Sequence, residues 1–178
     1  MAGTRIESLV IVLVFVACVP ALAVLAEHMP ARSTLRPIDA QMRGLVQAGR
    51  EQSPSFSALA DRLAATDVVV YIKCAPLRPH VHGELIFLGA AGGVRYVMVR
   101  VAPHLTTQRK IAILGHELQH ALEIAERPEI VDSTTLARAY EQFGYTRRTG
   151  SRVDFDTAAA IGTGNTIWRE VTLRADGD

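Results

Sequence analysis

Two histidines and a glutamate stand in an order that a helix would gather round one ion: His116-Glu117-Leu118-Gln119-His120. Each residue of an α-helix advances about 100°, so His116 and His120 fall only about 40° apart, one turn separated. Two imidazoles so placed can share a metal ion. Glu117, about 100° round from His116, lies off the ligand line but on its flank, where a carboxylate can reach water on the ion without binding the ion itself. The chemistry this permits is metal-assisted hydrolysis.

HExxH is short and also arises by chance in helices whose histidines are merely exposed or satisfied. The neighbours favour the metal. Gly115, Leu118, Gln119, Ala121 and Leu122 are uncharged, which keeps competing charge away and buries the helix. Glu117-x-x-His120 is also the repeating unit of di-iron bundles, but those need it twice and no second copy occurs.

The elements that must position this helix can be read in order. Ser8 to Ala26 carries no charged side chain, with Arg5 before it and Glu27 after it. It is long enough to span a bilayer as a helix, and it also has the form of a secretory signal, with Ala21-Leu22-Ala23 as a small-x-small cleavage site. A lipoprotein reading through Cys18 is weakened by Phe15, where leucine is usual. Residues 1–26 are thus expected to be a signal peptide or membrane anchor, an apolar leader helix, and 27–37, polar with two prolines, a linker. Either role of the leader sends residues 38–178 out of the cytosol, to a secreted, periplasmic or membrane-anchored location.

Apolar residues at Ile38, Met42, Leu45 and Val46 predict an amphipathic helix to Gln52, favoured at its start by Asp39. Ser53 as cap and Pro54 at the first position predict a second helix to about Ala65. Strands are expected at Asp67–Cys74, Glu84–Leu88 and Val94–Val101, the last two joined through Gly89–Gly93. Thr106 or Thr107 caps the motif helix, which ends before Pro128. A further helix is expected from Asp132-Ser133 to Gly144, and a final one from Asp154 or Asp156 to about Leu173, where Gly162 and Gly164 imply a break or a close approach. The class is α+β, with a small sheet of about three strands packed on helices.

The 178 residues are 49% hydrophobic and 21% charged, with a formal net charge of +1. Lys and Arg are scattered, so nothing marks a nucleic-acid partner. Beyond the leader the only cysteine is Cys74, which excludes an intrachain disulfide framework there.

The segment round His116 resembles the active-site helix of the HExxH zinc metallopeptidases, the zincins, over about ten residues. Strands just upstream are similar to the zincin arrangement, in which a sheet edge lies above that helix. The resemblance implies Zn2+ on His116 and His120, Glu117 as general base and a peptide or protein substrate, with Val94–Val101 available to pair with an extended chain. In the branch whose third ligand is a glutamate from a following helix, Glu141 takes that place, although the asparagine usual before it is absent. Glu123 competes as third ligand. It falls about 20° from His116 but a turn beyond His120, which makes it more readily an acceptor for an imidazole N–H. Glu126 stands where the HExxHxxGxxH branch has its third histidine, but Glu123 replaces the turning glycine. Asp132, Asp154 and Asp156 are expected to cap helices, and His28, His80, His82 and His104 to be solvated. Tyr140, Tyr145, Arg147 and Arg148 are near enough in sequence to Glu141 to stabilise an oxyanion. Two non-enzymatic readings stay open: a metal-binding domain without turnover, and an envelope interaction domain.

Overall fold

The helix that carries the histidines packs against three other helices and three strands of the main sheet. The computed structural model describes residues 34–149 and 152–175, all within one compact unit, Ala31–Asp178. The leader and its cleavage or anchoring lie outside the described residues; no helix among the described residues is long and apolar enough to cross a membrane. The order is β1 (Leu35–Pro37), α1 (Ala40–Gln52), α2 (Pro54–Ala64), β2 (Val68–Cys74), β3 (Gly83–Ala91), β4 (Val94–Val101), α3 (Thr107–Ala125), α4 (Ser133–Phe143), β5 (Tyr145–Thr149), β6 (Arg152–Asp156) and α5 (Ala158–Ala175). The α+β class holds, with a mixed sheet of four strands in the order β1-β2-β4-β3. The fourth strand is β1, three residues within the expected linker, running parallel to β2 from Leu35↔Val70 to Pro37↔Ile72.

Side-chain alternation decides which face of the sheet takes the helices. Val70, Ile72, Val97, Val99 and Val101 have no exposed surface, and they meet Ile111, Leu114, Leu118 and Ile124 of α3 in one core. Helix α3 also packs on α1, α2 and α5, so it is apolar on more than one side. Its start is capped as expected by Thr106, whose hydroxyl accepts from Arg109 N, while Ser53 caps α2 through Phe56 N.

Strands β3 and β4 form a hairpin closed by Gly92 and Gly93, at φ 58° and 75°. Two residues in that left-handed region make the tight turn whose twist matches a hairpin. The register slips between Phe87 and Gly89, a bulge. Strand β4 pairs with β2 on one side and β3 on the other, so Val94–Val101 has no edge for a substrate, contrary to expectation. The edges of this sheet are β1 and β3.

The end of the chain differs most from expectation. An antiparallel hairpin, β5–β6, occupies the stretch before the final helix, with Tyr145 opposite Asp156. Helix α5 therefore begins later than Asp154 or Asp156, and its cap is Thr157, whose hydroxyl accepts from Ala160 N. It runs unbroken through Gly162 and Gly164.

Candidate metal centre

Three side chains from two parts of the chain converge. His116 and His120 lie one turn apart on α3, and Asp156 arrives as the last residue of β6. Asp156 Oδ1 is 3.4 Å from His116 Nε2 and 3.7 Å from His120 Nε2. Each offers a ligand atom, and the three atoms lie within 4.8 Å of one another, so this group can hold a metal ion. The two rings meet edge to face, with centroids 4.9 Å apart.

Close packing brings Asp156 there. Helix α5 approaches α3 through two glycines: a Cβ on Gly115 would stand 2.2 Å from Ile167 Cδ1, and one on Gly164 would stand 3.2 Å from His116 Cβ. Of the two readings for Gly164, break or close approach, the second is the one observed. Gly144 closes the other side. Its φ of −96° is ordinary, but a Cβ there would meet Tyr140 O at 2.8 Å and Asp156 O at 3.0 Å. The end of α4 is thereby held against the backbone of the third side chain.

Behind His120 lies a closed set of hydrogen bonds. Glu123 Oε2 is 2.9 Å from His120 Nδ1, and it accepts from Tyr140 Oη at 3.0 Å. Tyr140 Oη is itself 2.9 Å from that same Nδ1. Glu123 Oε1 accepts from Thr157 Oγ1 at 2.6 Å. An acceptor at Nδ1 keeps the proton on that nitrogen and leaves Nε2 free to ligate. Glu123 is thus engaged behind His120 as an acceptor, and the grouped ligand atoms do not include it.

The charges follow from this arrangement. Burial, with His120 beside it, pushes the His116 ring below its ordinary pKa, against the pull of Asp156, Glu123 and a hydrogen bond to the Ala160 backbone. For His120 burial acts in the same direction, but the hydrogen bond to Glu123 and the carboxylates of Glu117, Glu123 and Asp156 outweigh it and raise the ring. Burial would raise Glu123, yet the hydrogen bonds from His120, Thr157 and Tyr140 carry it below the ordinary carboxylate value. Burial and the Glu123 charge push the Tyr140 hydroxyl up, so it stays a donor.

Glu117 sits on the flank of the pair. Burial lifts its carboxyl to about 7, against the attraction of His120 and helped by Asp156 and Glu84. It is 6% exposed. The start of β3 lies against it, since a Cβ on Gly83 would be 2.6 Å from Glu117 Oε1. The group opens on the other flank, where the side chains of His116 and Asp156 are 20% and 34% exposed.

The remaining candidates lie elsewhere. Glu141 is exposed on α4 and outside the ligand group; the side chain that α4 sends to the centre is its neighbour Tyr140. Tyr140 Oη is engaged behind His120, and the side chains of Tyr145, Arg147 and Arg148 lie outside the described ones. Glu126 pairs with Arg62 at 2.9 Å. Asp132 caps α4 in a capping box, as expected. Asp156 does not cap; it accepts Thr157 N at 2.7 Å and leaves the cap to Thr157. His80 is exposed, and half-buried His82 packs its ring on His104 at 5.9 Å. Asp156 and Thr157 were not legible as site residues. Phe155-Asp156-Thr157 before an alanine run reads locally as a helix start, and only the pairing of β5 with β6 carries it to the histidines.

Comparison with protein-family models, curated proteins and solved structures gives no match.

Proposed function

We propose that this protein is a zinc-dependent, zincin-like hydrolase of peptide bonds, exported or held at a membrane by its N-terminal segment. One observation carries the reading: two imidazole Nε2 atoms and a carboxylate oxygen converge, and a second carboxylate, Glu117, is buried on the same helix next to His116 in sequence. Two nitrogens and one oxygen suit zinc with a position left for substrate, and the acceptor behind His120 is the support such ligands need. The donor set therefore fits the ion, with Asp156 rather than Glu141 as the third ligand.

Bound zinc would supply a Lewis acid that lowers the pKa of water towards neutrality. Glu117 takes the proton of the attacking water and passes it to the departing amine, a role that its place on α3 between the two histidines, within the field of His120, supports. Glu123 and Tyr140 hold His120 in one orientation. Strand β3, paired on one side only, offers its backbone to an extended peptide beside Glu117. The near-complete burial of Glu117 favours a second reading, a metal site without turnover.

Metal analysis of the purified chain, followed by Glu117→Gln assayed on a quenched-fluorescent peptide library, separates the readings. An enzyme holds one zinc in both forms and loses about 10²- to 10⁴-fold in turnover in the variant. A structural site holds zinc in both and turns over in neither. An interaction domain carries no stoichiometric metal.

A further inference from the structure

We infer that Thr157 is the positioning residue that joins the two halves of the metal centre, so that the affinity for the ion depends on its hydroxyl. The inference rests on the metal reading above. The histidines belong to α3 and the third donor to β6, and no covalent proximity keeps them in register. Thr157 touches both sides. Its backbone N–H donates to Asp156 Oδ1 at 2.7 Å, the same oxygen that faces both Nε2 atoms. Its hydroxyl donates to Glu123 Oε1 at 2.6 Å, and the other oxygen of Glu123 meets His120 Nδ1.

A hydroxyl has one proton and two lone pairs. Here the proton goes to Glu123 and a lone pair takes Ala160 N at 3.0 Å, the first turn of α5. Thr157 is 4% exposed, so water cannot readily take over either bond. One buried hydroxyl thus sets where α5 starts and how Glu123 holds the ring, while the backbone N–H of the same residue fixes where Asp156 points. Loss of the hydroxyl leaves Glu123 Oε1 buried without that donor, free to turn away from His120.

The test is zinc affinity of the full chain by competition with a chromophoric chelator, with the melting temperature of the metal-free form measured beside it. Thr157→Ser keeps the hydroxyl and stays within about threefold of wild type; Thr157→Val loses it and weakens binding about 10- to 100-fold. Thr157→Gly, which an N-cap tolerates and which has no side-chain donor, weakens binding likewise and carries the test if the valine variant does not fold. In a Glu123→Gln background the valine effect shrinks, because the two act through one bond. A residue that only caps α5 would lower the melting temperature and leave affinity unchanged. A wild type that binds zinc and a folded valine or glycine variant that binds it equally well overturn this inference alone. A wild type without zinc overturns the metal reading, and this inference with it.

Discussion

Gly83 is the contact through which strand β3 meets Glu117: a methyl group there would lie 2.6 Å from Glu117 Oε1 and 2.5 Å from Ile113 Cγ2. Both are closer than real side chains tolerate, so the strand or the carboxylate must move. Gly83→Ala is expected to keep one zinc per chain and to lower turnover about 10²-fold, the scale of an ångström's misplacement at a reacting group. Steady-state kinetics beside metal analysis reads both, and unchanged kcat/KM would show that Glu117 does not act from where it stands.

Arg95 should be the most costly polar side chain to remove outside the centre. It is 5% exposed; its guanidinium donates to both oxygens of Asp67 at 2.7 Å and to the carbonyls of Ile124, Ala125, Arg127 and Ile130. These carbonyls include the last two of α3, Ile124 and Ala125, at the helix end that favours a cation. Arg95→Met leaves them without that donor, and a loss of about 3 kcal/mol is expected in urea unfolding. A loss under about 1 kcal/mol would mean that water replaces it.

The same pair gives a pH dependence. The hydrogen bonds from Arg95 hold the Asp67 carboxyl below its ordinary 3.8, with burial acting against them. A depressed folded pKa stabilises fully above the unfolded value and is lost as pH falls through the folded one. Wild type should therefore lose more stability than Asp67→Asn between about pH 4 and pH 2, with a constant gap between them above about pH 5. Asp67 is partly exposed, so the effect is modest. Parallel profiles in urea unfolding would contradict the assignment.

Much of the fold was legible because its signals are local. Ser53-Pro54, Thr106 and Asp132 mark helix starts by their own hydrogen bonds, and Val68–Cys74 marks a strand by β-branching. The pair His116 and His120 was legible for the same reason, since one helix places both. Strand β1 was not: Leu35-Arg36-Pro37 is extended because it pairs with Val70–Ile72, thirty-five residues on. Asp156 was missed on the same ground. Its sequence neighbours predict a cap, and a threonine one residue later does that work, which frees the carboxylate for the histidines. Glu141 fits the family spacing yet is exposed, because α4 turns Tyr140 inward instead.

The centre itself is tested most directly by anomalous scattering at the zinc edge from crystals of the full chain grown with zinc. The account predicts one peak at about 2.0–2.2 Å from His116 Nε2, His120 Nε2 and a carboxylate oxygen of Asp156. It also predicts that the peak vanishes in Asp156→Ala and persists in Glu141→Ala. No peak between the two rings, or a peak completed by Glu141 with Asp156 turned away, would contradict it.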